Sequence, residues 1–103
     1  MATFRITAGD TLPTLDCSLV YDGAAYDLTS KTPTIILSKD GVDVELTTSV
    51  AGLATEGVAR HTWTVGETAT IGRGRWPMRV VVTAGNDTLT FPDSDNPLWL
   101  EIG

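Results

Sequence analysis

The stretch Asp87-Thr-Leu-Thr-Phe-Pro-Asp-Ser-Asp-Asn-Pro-Leu-Trp-Leu-Glu-Ile102 decides the fold. Leu89 and Phe91 alternate with Thr88 and Thr90, the period of two that sends successive side chains to opposite faces of a strand. Pro92 and Pro97 bracket a polar crossover, because proline cannot donate to a ladder. Leu98, Leu100 and Ile102 then resume the alternation against Trp99 and Glu101. Such a segment is expected to be a short strand, a crossover and a buried last strand. The whole chain, residues 1–103, is expected to be a single β-sandwich domain with nothing after it.

The same period runs back toward the N-terminus. Trp76, Met78, Val80 and Val82 form the longest inward face, with Arg75, Arg79 and Thr83 facing out, and Ala84-Gly85-Asn86-Asp87 turning the chain. Ala59, His61, Trp63 and Val65 point one way, and Arg60, Thr62 and Thr64 the other. Glu67-Thr-Ala-Thr70 has room for one helical turn, ended by Gly72. Val42, Val44 and Leu46 oppose Asp43, Glu45 and Thr47. Before them, Asp40-Gly41 supplies the positive φ angles of a tight hairpin turn. Ile35, Ile36 and Leu37 are consecutive, as in a strand covered on both sides. Leu15, Cys17, Leu19 and Tyr21 alternate against Asp16, Ser18 and Asp22, and Phe4 with Ile6 begin a first strand. Residues 49–57 are weakly patterned and read as a loop without helix. The sum is seven or eight short strands with frequent turn signals, the pattern of an all-β, immunoglobulin-like antiparallel β-sandwich.

Charge and composition exclude several functions. Thirteen acidic against seven basic side chains give a net charge of −6. Nucleic-acid binding rests on clustered Lys and Arg, so no nucleic-acid partner is expected. The only local basic group is Arg73, Arg75 and Arg79, whose odd numbers put them on one solvated strand face. Neither a signal-peptide core nor an apolar run of membrane-spanning length is present, so no membrane partner is expected. Cys17 is the only cysteine, flanked at a spacing of two by Leu15 and Leu19, and reads as a buried small hydrophobe.

Catalytic and metal-binding sets are sparse. His61 is the only histidine, and with one cysteine no cluster of zinc ligands can form. None of the serines sits in a Gly-x-Ser-x-Gly elbow. Asp43 and Glu45 share the outer face of one strand, where solvation explains them better than glycosidase chemistry. Asp93-Ser-Asp-Asn96 resembles a fragment of a calcium loop but lacks its terminal glutamate. Gly72-Arg-Gly74 lacks the lysine and helix of a phosphate loop. The expectation is a non-enzymatic protein with no cofactor and no metal. Trp99 points away from Leu98 and Leu100, either as a contact anchor at an interface or packed under a loop. Trp99 and the three arginines are the candidate interface residues, joined by the segment from Ser49 to Gly57.

In order, Gly9-Asp-Thr-Leu-Pro13, Tyr21-Asp-Gly23, Asp27-Leu-Thr-Ser30, Gly57 with Trp63, Gly74-Arg-Trp76 and Thr90-Phe-Pro92 resemble the immunoglobulin-like N-terminal domain of bacteriophage baseplate upper proteins and related small phage tail proteins. The resemblance spans Gly9 to Ile102. It implies a non-enzymatic structural protein of a virion, a tail- or baseplate-associated docking module that assembles by symmetric contacts. Its partners would be other virion structural proteins and further copies of itself. It would be made and folded in the host cytoplasm and end in the virion. The chain departs from baseplate upper proteins, which continue into long C-terminal regions. Two alternatives stay open: a carbohydrate-binding module stacking sugars on Trp99 or Tyr26, and a head decoration protein of the capsid.

Overall fold

A computed structural model of the chain describes residues 2–12, 14–91 and 98–103. The proline at position 13 and the whole crossover at 92–97, with its calcium-loop-like acids, lie outside the described residues.

Two sheets face each other. The larger is ordered β1 (Ala2–Ile6), β11 (Leu98–Ile102), β9 (Gly74–Ala84), β5 (Thr32–Lys39) and β6 (Val42–Leu46), with β10 (Asp87–Phe91) also on β9. The smaller is β2 (Leu15–Ser18), β8 (Val58–His61) and β7 (Ser49–Val50). In immunoglobulin terms the small sheet is B-E-D and the large one is G-F-C-C′ with an added first strand, so the chain is an immunoglobulin-like β-sandwich. A separate hairpin pairs β3 (Val20–Tyr21) with β4 (Ala24–Ala25). Among the described residues the two main sheets contain eight strands once β10 and β11 are taken as one interrupted arm.

That arm is the crossover strand of the opening stretch. β10 pairs with the C-terminal half of β9, from Asp87 opposite Ala84 to Phe91 opposite Val80. β11 pairs antiparallel with the N-terminal half, from Leu98 opposite Met78 to Ile102 opposite Gly74. The two therefore lie in line along one side of β9, and β5 covers the other side from Thr83 to Met78. Pro77 falls beyond the last β5 pair, so among the described residues β9 has a neighbour there only on the β11 side and the missing donor disturbs no second ladder. One pairing departs from the antiparallel expectation. β1 runs parallel to β11, Phe4 beside Leu100 and Ile6 beside Ile102, which makes the large sheet mixed.

The core lies where the inward faces meet. Leu15, Cys17 and Ala59 from the small sheet pack with Ile6, Ile35, Leu37, Leu46, Met78, Val80, Val82, Leu100 and Ile102 from the large one, and Leu19, Leu28, Trp63, Ile71 and Phe91 close the ends. The consecutive Ile35, Ile36 and Leu37 are all buried, as a run covered on both sides requires. On the outward face Ile36 sits between Arg79 and Glu45 in register.

Three expectations are corrected. The second strand does not continue to Tyr21: Leu19 leaves the sheet to exchange backbone bonds with Gly57 and Tyr26, and Tyr21 is 56% exposed in the hairpin. The strand ending in His61 does not reach Val65, which is 94% exposed, because Gly66 takes a left-handed φ of 80° and starts helix α1 (Glu67–Ile71). Residues 49–57 are not a plain loop. They hold β7 and a 3-10 turn at Ala54–Glu56, where Glu56 Oε1 accepts from the Leu53 amide at 3.0 Å.

Candidate interaction surface

The interior offers no open reactive group among the described residues. His61 is 2% exposed and both its nitrogens are engaged. Nδ1 lies 2.6 Å from the Thr47 carbonyl, which can only accept, so Nδ1 carries a hydrogen and donates it. Nε2 lies 2.9 Å from Glu67 Oε1, which also accepts from the Thr64 amide. The Trp63 ring meets the imidazole edge-on at 4.7 Å. An imidazole with both nitrogens committed has no lone pair to offer a substrate or metal. What it does is tie α1 to β8 and to the end of β6. Burial pushes the Cys17 thiol up to about 12, so the thiolate is absent at neutral pH. Among the described residues no group of three His, Cys, Asp or Glu is placed to hold a metal ion, and no helix is long and apolar enough to cross a membrane.

The exterior of the large sheet is where polar chemistry gathers. Register places Arg75, Pro77, Arg79 and Val81 of β9 on the outward face. Beside them stand Trp99 and Glu101 of β11, Thr3 and Arg5 of β1, Ile36 and Ser38 of β5, and Asp43 and Glu45 of β6. The three arginines named from the sequence do not form one stripe. Arg79 reaches across β5, with Nη1 donating to Ser38 Oγ at 3.2 Å and Nη2 to Asp43 at 2.7 Å. Its side-chain hydrogen bond, with the attraction of its charge, holds the Asp43 carboxyl below the usual carboxylate range. The Arg75 guanidinium lies over the Trp99 ring at 4.6 Å, opposite Glu101 in register. Arg73 precedes β9 in a bend and is exposed. Trp99 is half-buried on the outward face, where its alternation put it. Its indole nitrogen is covered and without a hydrogen-bond partner.

Several pairings were not legible in the sequence. Arg79 and Asp43 are close only because β5 separates β9 from β6, and no local pattern encodes that order. Arg60 and Asp16 form a two-point pair at 2.7 and 2.9 Å across β2 and β8, facing away from the core. Arg5 lies 3.6 Å from Glu101. An acid and a base at outward positions of neighbouring strands were the available signal, and they needed the topology to be joined.

Two further surface features complete the exterior. A cleft of about 380 Å³ runs between β6 and the start of α1, lined by Val44, Leu46, Val65 and Ile71 with Glu45 and Glu67 at its rim. Elsewhere on the surface Tyr26 packs between Tyr21 and Phe91, with the Lys31 ammonium over its ring at 4.3 Å. Both aromatics proposed as sugar platforms thus carry a cation on the ring.

No protein-family profile, curated protein sequence or solved structure matches this chain.

Proposed function

We propose that the protein is a non-enzymatic structural component of a bacteriophage virion, a docking module of the tail or baseplate that works by protein–protein contacts. The observation that carries the reading is the contrast between inside and outside. The sandwich interior is filled and its one histidine is fully engaged. The outward sheet face and its edge strands β1 and β6 present charged and aromatic side chains. Exposed sheet edges and such faces are the surfaces through which β-domains join neighbours.

Several described residues of the phage resemblance fit this reading because they build the scaffold. Asp22 and Gly23 turn the β3–β4 hairpin with φ angles of 54° and 79°. Asp27 accepts from the Thr29 amide and hydroxyl, and Leu28 beside it plugs the core. Gly57 presses against Tyr26 and Leu19, and Phe91 closes the end of the sandwich. Nothing in the set is a reacting group.

The test is mass spectrometry of virions purified through a density gradient from the host that carries this gene. Recovery at a fixed ratio to a tail protein supports the tail reading. Recovery only with capsid shells lacking tails supports the decoration alternative. Absence from the particles overturns the virion reading.

A further inference from the structure

Among the described residues the strand order of the large sheet ends in β1 and β6, each without a second neighbour, and β10 pairs with β9 alone. β1 closes one edge and β6 the other. The pairings fix their relative direction: β5 is antiparallel to both β9 and β6, β11 is antiparallel to β9, and β1 is parallel to β11. β6 of one molecule, set beside β1 of an identical molecule in the same orientation, therefore runs antiparallel to it. That is the more stable ladder. The two edges also differ in charge. On the outward face the β1 edge presents Arg5, whose side chain is 73% exposed and lies 3.6 Å from Glu101, with Arg75 on the far side of Glu101 in register. The β6 edge presents Glu45 and Asp43, the latter 58% exposed although Arg79 reaches it from behind, with Asp40 in the adjoining turn.

We infer that copies of this protein join head to tail, the β6 edge of one adding to the β1 edge of the next. A five-residue antiparallel register satisfies every constraint at once: Val42 opposite Ile6, Asp43 opposite Arg5, Val44 opposite Phe4, Glu45 opposite Thr3 and Leu46 opposite Ala2. It spans both strands end to end. It sets Arg5 directly across from Asp43 and diagonally across from Glu45, the two placements at which cross-strand charges attract. It also puts Val42, 63% exposed, beside a strand with apolar inward residues. An isologous pairing of two β6 edges would instead face acid with acid. Because the two surfaces differ, the contact is heterologous and propagates into a closed ring or an open filament. Each contact is weak alone, and repetition supplies the avidity. The inference rests on the reading of the chain as an assembling module and names its first partner, a second copy.

The test is charge exchange followed by sedimentation velocity. Wild-type protein is expected to grow past the monomer by about 1 mM, the weak end of specific association. The species should shrink as salt rises from about 0.01 to about 1 M, which cuts the screening length from about 30 to about 3 Å. Arg5→Glu makes both edges acidic. Asp43→Lys with Glu45→Lys makes both basic. Each variant alone is expected to lose association by about tenfold or more, and an equimolar mixture to regain it, because acidic and basic edges alternate again. Circular dichroism checks that each variant keeps its β-structure, and Glu45→Lys alone replaces the double variant if that one unfolds. A wild type that stays monomeric at about 1 mM overturns the inference. So does an Arg5→Glu variant that associates like wild type, or a mixture that does not recover. Virion recovery separates the two claims. A monomeric protein found in particles overturns the edge contact alone, and an associating protein absent from them overturns the virion reading alone.

Discussion

Strand β9 and the β3–β4 hairpin are both antiparallel elements closed by two-residue turns, yet they stand at opposite extremes of burial. β9 has β5 on one side and the β10–β11 arm on the other, and Met78, Val80 and Val82 are buried beneath the small sheet. In the hairpin Val20, Tyr21, Ala24 and Ala25 are all exposed, and among the described residues the pair has no third strand. Two strands alone are marginal in water. The hairpin is held at its base, where the Leu19 amide donates to the Gly57 carbonyl at 2.7 Å and the Tyr26 amide to the Leu19 carbonyl at 2.9 Å. Local alternation and a good turn thus make a strand, while a neighbouring strand and an opposed sheet make it stable.

The largest expected effect sharpens the contrast. Leu100 is fully buried in the strand that backs β9, and Leu100→Ala should cost about 2–5 kcal/mol, measured by urea unfolding. Tyr21→Ala in the hairpin should stay within about 0.5 kcal/mol. Equal losses would erase the distinction.

Next comes the base of the hairpin against its tip. Gly57 has a φ of 68°, and a Cβ there would lie 2.6 Å from the Tyr26 carbonyl oxygen. Gly23 has a φ of 79° with open space around it. Gly23→Ala should cost about 1–2 kcal/mol from the left-handed backbone alone. Gly57→Ala adds a backbone collision, and its loss should be clearly larger. If the two match, the base is not the anchor.

The third effect concerns the polar tie at the end of the sandwich. His61→Phe leaves the Thr47 carbonyl and the Glu67 carboxylate without their partner, and about 1–3 kcal/mol should disappear from the unfolding free energy.

These elements differ in how far the sequence alone could reach. The Asp40-Gly41 turn and the Val42–Leu46 strand after it were readable because the signal is local. So were the buried Cys17 and the short helix stopped by Gly72. Tyr21 and Val65 were not. Both continue an alternation that the chain abandons, one where Leu19 donates to the distant Gly57 carbonyl, the other at a left-handed glycine. The parallel β1–β11 pair and the in-line placement of β10 and β11 are long-range choices with no local mark. The outward position of Trp99 was readable, but not the guanidinium lying on it, because that contact needed the register between β11 and β9.

The smallest expected effect is on pH dependence. The Arg60 side chain, by hydrogen bond first and charge second, holds the Asp16 carboxyl below its ordinary value of 3.8. Asp27 and Asp43 are lowered as well, by Thr29 and Arg79 respectively. A carboxyl with a depressed folded-state value adds stability that is present above about pH 4 and is lost as pH falls through the lowered value. Both members of the Arg60–Asp16 pair are well exposed, so solvent screening keeps the contribution small. Asp16→Asn should flatten the acid limb of stability against pH and leave neutral stability almost unchanged. An unchanged acid limb would remove the pair from the account.

The division between a locked interior and a loosely held exterior is tested most directly by native-state amide hydrogen exchange followed residue by residue. The slowest amides should fall in β5, β9 and β11, exchanging only through global unfolding, while the amides of Val20 to Ala25 exchange by local opening many times faster. Equal protection in hairpin and sheet, or earlier exchange in β9 than in the hairpin, would contradict it.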